Sequence, residues 1–202
     1  MLLAVGLLSA SAGHAAVSGA WEEGASRDQR FERVLVVGIS PDVNQRCAFE
    51  RSMASQLKSE STQAFVSCDA IPRDVPLSRE SIVAAVAAKN ADAVLVTSFV
   101  SQSSGVEEGG TRDTRGVAVY KATDAYLGGF YGNVVVADFH TAAPSVGVKG
   151  QAHIASKLFE TRGATVVYTV DTKVRDIESR GQALAEITPP IAKKLRKDGL
   201  IR

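Results

Sequence analysis

Two cysteines and three histidines are all that the 202 residues offer for soft metal ligation, and His14 lies in the apolar opening stretch. His140 and His153 remain, with no cysteine or carboxylate spacing around them that resembles a zinc site, so neither a metal nor another cofactor is expected. Charge of one sign is not in excess either: 23 Lys and Arg against 22 Asp and Glu leave a net +1. That balance removes the electrostatic footprint of a nucleic-acid binder. Catalytic motifs are equally scarce. No serine sits in a nucleophile elbow, no glycine loop leads into a phosphate-binding lysine, and no dinucleotide fingerprint occurs. Carboxylates such as Asp42, Glu50, Asp92 and Asp171 are scattered, so spacing assigns no acid–base pair, and the expectation is a protein that is not an enzyme.

Long hydrophobic runs are missing too. The opening Met-Leu-Leu-Ala-Val-Gly-Leu-Leu is far shorter than the roughly 20 residues that span a bilayer. Small residues follow it, the pattern of a secretory leader cleaved after Ala15 or Ala12, although no positive charge precedes the run. No cysteine stands near the cleavage region to carry a lipid, so the expected location is the periplasm with no stable membrane anchor. An oxidising compartment would allow Cys47 and Cys68 to pair. A helix starting near Val43 and a strand over Gln63–Cys68 bring both thiols to one rim, but a disulfide needs Cα atoms about 4.4–6.8 Å apart. The alternative is two small buried residues that stay free.

The chain organises as a leader over 1–15, an extended polar arm over 16–30 that holds the single Trp21, and one α/β domain over 31–202. Val34–Ile39 and Ala93–Thr97 are continuous apolar strands, the pattern of strands covered on both faces. Between them, Ser40 or Asp42 caps a helix running to about Ser59, with Gln45 as capping-box partner to Asp42. Phe49, Met53 and Leu57 form its buried stripe, while Arg46, Glu50 and Lys58 fall off it. A second helix opens at Ser78, with Leu77 stapled to Ile82, and closes at Asn90 in a left-handed conformation.

A solvated loop is expected over 101–115, within a flexible insertion at about 102–132. Strands follow at 133–140, 151–161 and 165–174, the last two joined by a turn at Glu160–Gly163. The carboxyl-terminal helix presents Leu184, Ile187, Ile191 and Leu195 on one face, and Pro189–Pro190 predict a kink or a restart capped by Thr188. The fold class is therefore α/β: a β-α-β-α-β unit, then antiparallel strands and a helix, with helices packed on a mixed sheet.

Two surfaces stand out. Tyr126, Phe130 and Tyr131 are interleaved with Gly128, Gly129 and Gly132, either plugging the sheet edge or contacting a partner. Gly38, Ser40 and Asp42 form a strand-to-helix rim where backbone N–H groups can hold an anion or small ligand, though capping explains the same residues.

Ala20-Trp21, the run Phe31–Ser40, Phe49-Glu50, Pro76-Leu77, Ala91–Thr97, Gly128–Gly132 and Asp198–Ile201 together resemble a group of poorly characterised bacterial envelope proteins, many of them lipoproteins. The layout is also similar to the α/β domains of the curli-secretion lipoprotein and the amino-terminal domain of TolB. That resemblance implies protein contacts rather than catalysis. The expectation is a binding or assembly accessory whose partner is an envelope protein or cell-wall component. A small-molecule binder or enzyme using the Gly38–Asp42 rim and a homo-oligomeric structural subunit are the alternatives.

Overall fold

The computed structural model describes residues 15–40, 42–105, 120–121, 135–136, 149–177 and 180–202. Its strands are β1 (Ala16–Trp21), β2 (Arg33–Ile39), β3 (Gln63–Val66), β4 (Ala93–Gly105), β5 (Tyr120–Lys121), β6 (Val135–Val136), β7 (Lys149–Glu160) and β8 (Thr165–Ile177). The helices are α1 (Val43–Leu57), α2 (Ser67–Ala70), α3 (Arg79–Lys89) and α4 (Arg180–Lys197). Six strands make one mixed sheet in the order β1-β8-β7-β4-β2-β3, and β5 pairs with β6 separately. The β2 strand is parallel to both β3 and β4, whereas β4–β7, β7–β8 and β8–β1 are antiparallel.

Alternation along β2 explains why its apolar run has no wet side. Val34 and Val36 join Phe49, Met53 and Leu57 of α1 in one buried cluster, together with Ile187, Ile191 and Leu195 of α4. Leu35 and Val37 point the other way, into a second cluster with Ile82 and Ala85 of α3. Toward β7 and β8 the second face becomes polar, with Thr169 and Asp171 half-buried and Lys173 exposed. Val167, at a wet position of that alternation, is nevertheless buried, beside the register shift between Leu158 and Phe159 that re-aims side chains at this end of the hairpin.

Helix ends follow local chemistry. Asp42 caps α1, its Oδ1 accepting from the Asn44 and Gln45 amides at 2.8 and 3.2 Å, while Gln45 Nε2 returns a bond to Oδ2 at 2.7 Å. Ser78 caps α3 in a box completed by Ser81, and Asn90 closes it at φ 46°. Arg33 ties the start of β2 to that end, its Nε donating to the Asn90 carbonyl at 2.9 Å.

Several expectations need correction. Of the arm expected over 16–30, the first six residues form the edge strand β1, hydrogen-bonded to β8. The strand expected to reach Cys68 stops at Val66, and Ser67–Ala70 turn into the helix α2. Residues 101–105, read as loop from their polar side chains, prolong β4, since the backbone ladder to β7 forms whatever the side chains are. Thr188 does not restart the last helix: α4 runs unbroken through Pro189 and Pro190. The two prolines withhold two ladder donors. Burial of Ile187, Ile191 and Leu195, each at 0% exposure, holds the helix in place despite that loss. Thr188 instead donates its hydroxyl to the Leu184 carbonyl at 3.0 Å. The leader residues 1–14, the aromatic residues Tyr126, Phe130 and Tyr131, and His140 lie outside the described residues.

Candidate functional site

The chemistry of the described residues concentrates where β2 and β3 end. There α1 crosses the sheet closely: a Cβ on Gly38 would meet Phe49 Cδ1 at 3.2 Å and Arg46 Cγ at 3.4 Å. One turn along α1, Glu50 places its carboxylate under the strand ends with 0% exposure. Three donors converge on it. The Gly38 amide reaches Oε1 at 2.9 Å, the Ser67 hydroxyl reaches Oε1 at 2.6 Å, and the Cys68 amide reaches Oε2 at 2.8 Å. Arg46 lies alongside, with Nε 3.8 Å from Oε1 and its side chain 6% exposed.

Arg46 and Glu50, read from the sequence as lying off the buried stripe of α1, are themselves buried. Stripe reading ranks residues by polarity, and it misses a polar residue whose partners come from other elements. The available signal was spacing: Glu50 is three residues after Cys47, three before Met53 and four after Arg46, so it shares their side of the helix. A buried carboxylate is tolerated when its lone pairs are filled by hydrogen bonds and an opposite charge.

The residues singled out at the rim have specific places. Gly38 gives its amide to Glu50, Asp42 caps α1, and the Ser40 hydroxyl oxygen accepts from the Asp42 amide at 3.2 Å. Backbone donors that could hold an external anion at the end of β2 and the start of α2 thus face an internal one. Chemically, the carboxylate clamps β2, α1 and α2 together.

The cysteines flank the same clamp. Cys47 is buried on α1, Cys68 is half-buried on α2, and both are free thiols. Burial pushes the Cys68 thiol well above its ordinary value, reinforced by the neighbouring Cys47 side chain and by the Glu50 charge. Beside them Arg51 pairs with Asp69 at 2.9 Å, an exposed bridge that raises the Arg51 pKa mainly through that hydrogen bond. Such exposed pairs contribute little to stability.

On the polar face of the sheet, His153 Nε2 lies 3.2 Å from Asp171 Oδ1. No cluster of three or more His, Cys, Asp or Glu side chains suited to a metal ion occurs among the described residues. None of the described helices is long and apolar enough to cross a membrane.

The class defined so far is a mixed α/β protein with two-sided helical cover over β2 and a buried carboxylate clamp at its strand ends. No family model and no curated protein matches the chain. Among solved structures it is similar to a PelC dodecamer from Paraburkholderia phytofirmans, at 12% identity and TM-score 0.48, covering 93% of this chain and 97% of that one. A second PelC dodecamer from the same organism gives 10% identity and TM-score 0.48, with 94% and 99% covered. The lipoprotein GNA1162 from Neisseria meningitidis gives 13% identity and TM-score 0.43, with 82% and 99% covered.

Proposed function

We propose that this chain is an exported, non-catalytic accessory protein of the bacterial envelope that binds another envelope component through the aromatic and glycine-rich segment at Tyr126, Phe130 and Tyr131. The observation that carries the reading is the Glu50 clamp. Gly38 N–H, Ser67 Oγ–H and Cys68 N–H, the donors best placed to hold a ligand at the strand ends, are all directed onto that carboxylate. This weighs against a small-molecule site at the Gly38–Asp42 rim and leaves recognition to other surfaces. Aromatic groups on a glycine-rich segment suit an adaptable protein contact. The leader-like opening and the resemblance to envelope proteins supply the compartment in this reading.

The test is site-specific photo-cross-linking in cells, with the reactive amino acid placed at Tyr126 or Tyr131. A discrete adduct with an envelope protein or with cell-wall material supports the reading. Loss of any specific adduct at both positions overturns it, and an adduct between two copies of the chain replaces it with the homo-oligomeric subunit.

A further inference from the structure

Cys47 and Cys68 come from different elements, and the contacts around them join those elements closely. On α1, Glu50 and Arg51 stand three and four residues after Cys47 and so lie on its side of the helix. Both of them touch α2 around Cys68: Glu50 accepts from the Cys68 amide at 2.8 Å, and Arg51 donates to the Asp69 carboxylate at 2.9 Å. The turn of α1 that carries Cys47 is thereby held against the turn of α2 that carries Cys68. We propose that Cys47 and Cys68 are a redox pair that closes to an intramolecular disulfide, tying α1 to α2 across the Glu50 clamp.

Accessibility sets the order of events. Cys68 is half-buried and Cys47 is buried, so a disulfide-bearing oxidant such as oxidised glutathione meets Cys68 first. The deprotonated Cys68 sulfur attacks one glutathione sulfur, and the other glutathione leaves as a thiolate that takes up the proton. Cys47, losing its own proton, then attacks the Cys68 sulfur of the mixed disulfide and expels the second glutathione. Two protons and two electrons pass from the two cysteine thiols to two molecules of reduced glutathione. The groups facing Cys68 are Cys47, Glu50 and Arg51 on α1 and Asp69 on α2. Burial, Cys47 and Glu50 together outweigh Arg51 and keep Cys68 protonated at neutral pH, so the first step accelerates as the pH rises.

The full chain, reduced and then incubated with oxidised glutathione, tests this directly. Intact mass spectrometry after denaturing alkylation should show the loss of two hydrogens, no alkylated thiol and no retained glutathione. A peptide map should join the Cys47 and Cys68 fragments. The Cys47→Ala variant should instead accumulate one stable glutathione adduct at Cys68, because its resolving thiol is gone. Two alkylatable thiols after prolonged oxidation, two glutathione adducts on one chain, or disulfide-linked dimers as the main product would each overturn the proposal. The reaction depends on the approach of the two thiols and not on the compartment. Its failure therefore leaves the envelope reading standing, and failure of that reading leaves the redox pair intact.

Discussion

Replacing Glu50 by alanine removes one acceptor from three donors and the counter-charge from Arg46. The Ser67 hydroxyl can rotate to another partner, but the Gly38 and Cys68 amides are fixed by β2 and α2. A buried donor left without an acceptor costs about 1–3 kcal/mol. Stripping one partner from a buried ion pair costs about 3–5 kcal/mol. These contributions overlap, because one admitted water can serve more than one of the exposed groups, so the expected loss for Glu50→Ala is about 3–5 kcal/mol in total. Glu50→Gln keeps the shape and one acceptor oxygen but turns an amide NH2 toward another donor, either the Cys68 amide or the Gly38–Ser67 pair. Its expected loss is smaller, about 2–3 kcal/mol. Replacing both members, Arg46→Met with Glu50→Leu, removes the stranded charge and should recover part of the loss. Urea unfolding followed by circular dichroism measures all three, with slopes compared so that a change of midpoint can be read as a change of stability. A loss below about 1 kcal/mol for Glu50→Ala would refute the clamp as an organising interaction of this fold.

Other consequences can be checked alongside. Asp42→Ala removes the α1 cap and should cost about 1 kcal/mol in the same urea assay. Glu80 is held below its ordinary pKa by its own backbone N–H and then by the Ser78 hydroxyl, so it favours the folded state above the ordinary carboxylate pKa. That contribution is lost as pH falls through the lowered value. In Ser78→Ala, an NMR titration should find the Glu80 carboxyl closer to its ordinary value; an unmoved titration would contradict the assignment. Gly19→Val should unseat β1, because a Cβ there would meet Tyr168 Cζ at 2.6 Å and Lys194 Cε at 2.8 Å. Trp21, edge-on to Tyr168 at 5.3 Å, reports the change as red-shifted emission, and unchanged fluorescence would show that β1 adapts. Deleting Gly199–Arg202 exposes the contacts of Leu200 and Ile201, now at 0% and 2% exposure, and removes the Leu200 carbonyl that accepts from Phe31 N–H at 2.8 Å. Large-to-small losses in cores run to about 2–5 kcal/mol each, so the truncated chain should unfold at markedly lower urea or fail to accumulate.

Local rules carried far where the answer is local. Val34–Ile39 has apolar residues at both parities, which only a two-sided cover satisfies, and Asn90 tolerates the positive φ that ends α3. The same rules failed where distant partners decide. Glu50 reads as lying off the buried stripe until Gly38, Ser67 and Cys68 are brought to it by the β2-α1-β3-α2 path. Ser101–Gly105 reads as loop until β7 supplies a ladder, and Pro189–Pro190 reads as a break until the α4 face is seen buried against β8 and α1. In each case a tertiary contact outweighs a local preference of about 1–3 kcal/mol.

The clamp also links the two halves of the functional reading. A carboxylate that accepts the Gly38 amide withdraws a ligand-binding donor from the strand-end rim. The same carboxylate, by accepting the Cys68 amide, fixes the start of α2 against α1, the helix that carries Cys47. One side chain therefore both fills the rim and holds α2 against α1. Covalent closure of Cys47 to Cys68 would cross-link the two elements that Glu50 already joins, so the clamp and the disulfide should be partly redundant in stability. Glu50→Gln would then destabilise the reduced chain more than the oxidised one, because the bond retains the α1–α2 approach that the weakened carboxylate no longer holds.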